Sequence, residues 1–342
     1  MRRPRPAPHA LASGPFTLAT GRAHETVDRL AGPAYRSLGR GLRQAAHLPV
    51  TFETRIAAMR QVLPAEAVLA GRAAAWVHGV RDASAEQRVE VILPRPGQVR
   101  ARPGLVVRAE VLAPQEVLMT RFGPTTTAAR TAYDLARVAR LPPAAARSLH
   151  RRPPVETVPS RPPTGPALYG FPDPSVLRGE HPAAVARRLI GAVTAVDRLL
   201  FACKLSASHV DQVLDRHGRS RGVGSARVVL ALADARAESP PESVLRCRFV
   251  LAGLPAPQPQ YEIYDGTRFV ARPDMSWLKW RLAAEYDGIY HDEVEGMPAK
   301  DRSRDVDAHG VGWELLHYDR FSLRDVARLI DRTHRVMLRR AG

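Results

Sequence analysis

Four acidic residues in the last third of the chain, Glu242, Asp274, Glu285 and Asp287, have types and spacing suited to holding a divalent cation. RLAAEYD reads as a strand, and side chains at i and i+2 of a strand share a face, so Glu285 and Asp287 point the same way. RFVARPD reads as the strand before it; if the two form a hairpin, Asp274 lies beside that pair. Carboxylates gathered on one face repel one another unless a cation holds them, and hard oxygen donors suit Mg2+ or Mn2+. Such a cation orients a water and stabilises the leaving oxygen when a phosphodiester is cut. Each residue also has a plainer role. Glu242 could complete a capping box with Ser239. Asp274 follows Pro273 and suits a turn, Asp287-Gly288 is an ordinary turn pair, and His291 alone reads as a surface histidine. Their order and strand placement argue for the cation.

The elements that would position these acids follow from the local pattern. Ser239 caps a helix over SPPESVLRCRFVLAGL, with prolines in its first turn. Three short strands follow, QYEIY, RFVARPD and RLAAEYD, then a turn at Gly288 and a charged helix near PAKDRSRDVDAHG. WELLHYD reads as another strand and SLRDVARLIDRTHRVMLRR as a closing amphipathic helix. The order α-β-β-β-α-β-α gives a mixed sheet flanked by helices.

Upstream, residues 1–13 read as an Arg/Pro-rich disordered tail, and Gly14 to Leu42 as short helices with a turn, Thr26 capping one and Gly32-Pro33 breaking it. Val50 to Val77 reads as helical through Ile56, Met59, Val62, Leu63, Val68, Ala73 and Trp76. VEVIL at 89–93 and LVVRAEVL at 105–112 read as two strands of a short β-hairpin, and TAARTAYDLARVAR as a helix. The tract 141–182 holds three Pro-Pro pairs and little periodicity, which predicts a mobile linker or insertion. Helical segments then resume as a connector over 183–224.

Composition bounds the rest. A chain of 342 residues predicts two or three domains, and 45% apolar residues suffice to give each a core. No apolar run is long enough to span a bilayer or to serve as a secretory leader, so a cytoplasmic location and no membrane partner are expected. The two cysteines, Cys203 and Cys247, match no metal-ligand spacing and exclude a disulfide framework. A formal net charge of +17 attracts polyanions such as DNA. Only Lys204, Lys279 and Lys300 are lysines, however, and an arginine- and alanine-rich bias of GC-rich coding produces the same number, so charge alone does not identify a partner.

SPPE at 239–242, RPD at 272–274, LAAEYDGIYH at 282–291, DRSRD at 301–305 and GWELLHYD at 312–319 occur in this order. Together they resemble actinobacterial proteins with a very-short-patch-repair-endonuclease-like domain of the PD-(D/E)xK nuclease superfamily. The resemblance spans about residues 225–340 and implies a restriction-endonuclease-like domain over 225–342. It implies that Glu242, Asp274 and Glu285 form the metal-binding acidic triad, and that Arg302 and Arg304 lie near phosphates, where guanidinium forks bind bidentately. Asp287 stands where the superfamily usually has lysine, and His317 where relatives often carry arginine. His291 matches the histidine after the glycine turn; with a reference pKa near neutrality it could serve as general base, and Lys300 is an alternative.

GPFTLATGRAHETVDRLAGPAYRSLGRGL, followed by VLAGRAAAWVHGV and TTTAARTAYDLARV, resembles the winged-helix and core regions of type IV antitoxins from abortive-infection systems. The resemblance implies a winged-helix-like segment at 14–49 that reads the major groove, an antitoxin-like α/β region at 50–140, and a toxin or other defence-operon product as partner. Two functions are therefore expected: a Mg2+- or Mn2+-dependent DNA endonuclease or nickase, or a non-catalytic DNA-binding regulator that keeps the nuclease fold as a scaffold. The expected fold is α/β (α+β): a restriction-endonuclease-like mixed sheet flanked by helices, preceded by a mostly helical region with a small winged helix and the short hairpin.

Overall fold

The computed structural model describes residues 7–97, 99, 102–288 and 297–341, with the side chains of 297–303 left aside. It divides into two compact units, 1–134 and 135–342.

The first unit begins with α1 (His9–Ala12), β1 (Phe16–Thr17), α2 (Leu18–Arg22), α3 (Val27–Ala31), β2 (Tyr35–Gly39) and β3 (Leu42–Ala45). Of the tail expected over 1–13, residues 9–12 are thus helical with Leu11 buried, and 1–6 lie outside the described residues. Thr17 and Thr26 cap α2 and α3 through their hydroxyls, as Ser/Thr N-caps do. The purely helical reading of 14–42 needs correction, because β2 and β3 form an antiparallel hairpin that β1 joins, in the order β1-β3-β2. Gly41, at φ +78°, makes the tight connection. Leu11, Phe16, Leu30 and Tyr35 form the small core of this layer, with Phe16 edge-on to Tyr35 at 5.5 Å.

The unit continues with α4 (Phe52–Arg60), β4 (Val68–Leu69), α5 (Gly71–Val77), β5 (Val89–Leu93), β6 (Leu105–Ala109), β7 (Val117–Thr120), β8 (Gly123–Thr126) and α6 (Ala128–Arg137). The helix expected across 50–77 is broken near Pro64, and Val68 lies on a strand rather than on a helical face. The short hairpin expected from 89–93 and 105–112 is corrected as well. β5 and β6 run parallel within a five-stranded mixed sheet of order β6-β5-β4-β8-β7, and the hairpin belongs to β7 and β8. Trp76 packs edge-on between Phe52 and Phe122 in the core beneath this sheet. A buried ion cluster fixes the start of α6: the fully buried Arg130 reaches Glu110 at 2.7 Å, Glu116 at 3.2 Å and Asp134 at 3.2 Å, and Arg108 also meets Asp134 at 2.9 Å.

The second unit holds α7 (Pro143–His150), α8 (Pro182–Cys203), α9 (Asp211–Arg216), α10 (Val223–Leu232), α11 (Pro240–Leu251), β9 (Gln258–Pro259), β10 (Ile263–Asp265) and β11 (Arg268–Ala271). β12 (Met275–Trp277), β13 (Leu282–Tyr286), α12 (Met297–Gly310), β14 (Glu314–Tyr318) and α13 (Val326–Ala341) complete it. The result is a C-terminal mixed sheet flanked by helices. Its order is β14-β13-β12-β9, with β13 antiparallel to β12 and parallel to β14, and β10 and β11 pair separately. Leu282 and Ala284 face a core shared with Leu245, Phe249, Trp277 and Ile330. Ala283 faces the opposite side, with Ala308, Trp313 and Val270. A strand covered on both faces loses the polar-apolar alternation, which accounts for the small apolar run Leu282-Ala283-Ala284.

The 141–182 tract, expected as a mobile linker or insertion, packs on this unit. Leu168, Phe171 and Leu177 are buried, and Arg152 donates to the carbonyls of Gly170 at 2.6 Å and Leu251 at 3.1 Å. The ring of His334 meets the Pro159 carbonyl at 2.6 Å. A few large apolar anchors, and carbonyls bound by Arg152 and His334, order a segment that its proline content alone would leave loose.

Candidate metal centre

The sheet carries the site. β13 and β14 are parallel and pair Glu285 with His317, so these two side chains emerge together from the face that α12 covers. Asp287, two residues beyond Glu285, shares that face, and its N–H donates to the Tyr318 carbonyl at 2.7 Å, which extends the ladder one step. One ligand atom from each of Glu285, Asp287 and His317 lies within 4.8 Å of the others. Two carboxylates and an imidazole converging in this way are a candidate set of metal ligands.

Neighbouring elements hold these side chains in place. His317 Nδ1 lies 3.2 Å from Asp287 Oδ1, and Nε2 lies 3.0 Å from Asp305 Oδ2 on α12. Arg304, one residue earlier on that helix, donates to Glu285 Oε2 at 2.5 Å. Asp305 is therefore the partner that orients the imidazole, as carboxylates do behind ligating histidines.

Asp274 lies near enough to Glu242 and Glu285 for both charges to act on it. The backbone N–H of Tyr286 donates to Asp274 Oδ2 at 2.8 Å, so this carboxylate takes over where the β12–β13 pairing ends. The adjacency of Asp274 to Glu285 holds, but the strand that provides it differs from the reading of the sequence. RFVA pairs with β10, and Asp274 directly precedes β12, a three-residue strand unread in the sequence. Glu242 is 7% exposed on the first turn of α11. Its backbone N–H donates to Ser239 Oγ at 3.4 Å, the Ser half of the expected capping box. Its carboxylate instead accepts from the Glu238 N–H at 2.9 Å and from Gln260 Nε2 at 3.1 Å, which aims it toward the acids.

The electrostatics follow from this crowding. Burial first, then the charges of Glu242 and Glu285, push the Asp274 carboxyl up to about 7, against the hydrogen bonds from the Tyr286 N–H and Gln260 that lower it. Burial also raises Glu285, against the opposing pull of Arg304 and His317. The hydrogen bond to Asp287, with the charges of Asp287, Asp305 and Glu285, lifts the imidazole of His317 to about 9. Five carboxylates (Glu242, Asp274, Glu285, Asp287, Asp305) thus face two cationic side chains, Arg304 and His317. Such an excess of acid suits a divalent cation. The oxygen donors fit Mg2+ or Mn2+, and the imidazole favours Mn2+ of the two.

The structure therefore brings Glu242, Asp274, Glu285 and Asp287 into one neighbourhood, with the ligand-distance set centred on Glu285, Asp287 and His317. Arg304 contacts Glu285 directly. His291 lies outside the described residues, as do the side chains of Arg302 and Lys300. His317 and Asp305 were not read as site residues. The signal for His317 was a polar ring in WELLHYD two residues after Leu315, on a face that is otherwise apolar.

The family comparison bears on a region upstream of this site. The family model of the AbiEi antitoxin C-terminal domain matches residues 66–150, from just before β4 through α7. An AbiEi-like antitoxin domain is therefore present there. Two uncharacterized proteins of Mycobacterium tuberculosis are each 31% identical to the chain over 125 residues, covering 36% of this chain and 46% of the relative. The chain thus spans about half the length of these curated relatives. No solved structure matches. Among the described residues, no helix is long and apolar enough to cross a membrane.

Proposed function

We propose that the second unit is a metal-dependent nuclease of the very-short-patch-repair-like, PD-(D/E)xK type that hydrolyses or nicks a DNA phosphodiester. On this reading the antitoxin-like region and the winged-helix-like segment before it bring the duplex. The observation that carries the proposal is the convergence of Glu285, Asp287 and His317 within 4.8 Å at paired strands, amid an excess of carboxylate. These three residues would hold Mg2+ or Mn2+, which supplies charge stabilisation to the phosphate oxygens. Asp305 holds the imidazole in register, and Arg304 is placed to leave Glu285 for a phosphate oxygen. Asp274 adds a further carboxylate whose charge is coupled to Glu242 and Glu285. Nicking of supercoiled plasmid in Mg2+ or Mn2+ tests this proposal: the wild type is expected to convert plasmid and Glu285→Ala to leave it intact. Equal conversion by both proteins would reject the site.

A second reading, a DNA-binding regulator of the antitoxin kind, draws on the AbiEi match and on the internal pairing of the cluster. Arg304 pairs with Glu285, and His317 lies between Asp287 and Asp305, so these side chains already pair with one another without an ion. Salt-dependent binding to its own promoter, with no cleavage in any metal, would favour this reading. A toxin-like or defence-operon partner belongs to it and is tested by co-purification with the product of the neighbouring gene.

A further inference from the structure

Beyond the end of β14 the chain turns outward through residues 319–325 and enters α13. Phe321, in that turn, is 56% exposed, an unusual position for a large aromatic ring. Two guanidinium groups flank it, Arg320 at 4.7 Å and Arg324 at 5.5 Å from the ring centroid. Arg328 and Arg332 continue the series on α13, giving four exposed arginines at a stride of four residues. Among the described residues, none of the four is ion-paired to a carboxylate. Phe321, Tyr318, Arg328 and Arg332 line a concave cavity of about 370 Å3. The cavity's two acids are committed elsewhere: Asp319 accepts from the N–H and the hydroxyl of Ser322, both at 2.7 Å, and Asp325 caps α13 by accepting from the Arg328 N–H at 3.0 Å. Arg332 ties this surface to the site, since it donates to the His317 carbonyl at 3.0 Å and lies 5.2 Å from the Tyr318 ring centroid.

We propose that the 319–332 surface is a platform for an unpaired nucleic-acid strand, with one base stacked on Phe321 and the arginine series along its phosphates, leading the strand toward the Glu285–Asp287–His317 cluster. Duplex DNA hides its base faces, so an exposed ring between cations gains a stacking contact only from a base already out of the helix. A purely electrostatic surface would not need the ring. The proposal deepens the nuclease reading and rests on it for the direction of the strand, while the binding itself needs no metal.

The test is fluorescence anisotropy of the full-length protein in EDTA, with a labelled DNA oligonucleotide single-stranded and as a blunt duplex of the same sequence. The wild type is expected to prefer the single strand. Phe321→Ala is expected to weaken single-strand binding about tenfold and duplex binding little, and Phe321→Trp to retain it. Arg324→Ala and Arg328→Ala are each expected to lower the slope of log affinity against log salt by about 0.7 on the single strand. Unchanged single-strand affinity in Phe321→Ala would mark the surface as a general polyanion patch and overturn the proposal, as would wild-type affinity that is equal for both forms. Because EDTA removes the metal, single-strand preference without plasmid nicking would sink only the nuclease reading. Nicking without that preference would sink only the platform.

Discussion

Asp274→Asn should make the protein more stable and less active. The substitution keeps an acceptor for the Tyr286 N–H and removes a charge that burial and two neighbouring carboxylates disfavour. The folded carboxyl holds its proton up to about 7, whereas an ordinary aspartate, as in the unfolded chain, titrates at 3.8. Between those values the folded state keeps a proton that the unfolded chain has released, so stability falls as pH rises through the window and stays lowered above it. Three pH units correspond to at most about 4 kcal/mol; with one edge of the carboxyl open to water, about 2 kcal/mol is expected. For a unit of this size that is a rise in Tm of about 4–8 °C at pH 8 and none near pH 4. Thermal unfolding followed by the fluorescence of Trp277, Trp280 and Trp313, all in the second unit, reads the change. Wild type should recover the difference when Mn2+ is added, and the variant should gain less. A gain of equal size at both pH values, or a loss at pH 8, would refute the electrostatic reasoning, because neither follows from a like-charge cluster.

Three further outcomes are expected. Metal affinity should rise with pH, by up to about tenfold per unit, until the His317 imidazole sheds its proton near the value of about 9 to which Asp287 lifts it; calorimetric titration at several pH values measures this. Asp305→Asn should leave the fold intact and weaken metal binding about 10- to 100-fold, the usual cost of losing a carboxylate behind a ligating imidazole. Arg130→Ala should destabilise the first unit by about 3–5 kcal/mol, because it removes the buried guanidinium that Glu110, Glu116 and Asp134 share; urea unfolding followed by Trp76, the unit's sole tryptophan, reports it.

The acids at 285 and 287 were legible because a strand period of two needs no knowledge of partners. His317 was not, because its place beside Glu285 depends on parallel pairing between β13 and β14, which segments far apart in sequence decide. Asp274 was placed correctly beside the site for an incomplete reason, since the sequence hid the short β12 behind the turn at Arg272-Pro273. The same limit turned the parallel β5–β6 pair into an expected hairpin, for the connection over 94–104 is long enough to suit either arrangement. In the 141–182 tract, proline content outweighed Leu168, Phe171 and Leu177, whose burial depends on a surface formed elsewhere in the second unit. The closing helix and the α11 cap were read correctly because Ser239 and the apolar stripe of α13 are local signals.

The most direct test of the metal centre is a titration of full-length protein with Mn2+, followed by loss of the free-ion electron paramagnetic resonance signal. One ion per chain should bind to the wild type, and binding should be lost when Asp287→Asn and His317→Gln are combined. Uptake by that double variant equal to the wild type's, or no uptake by the wild type, would contradict the proposed centre.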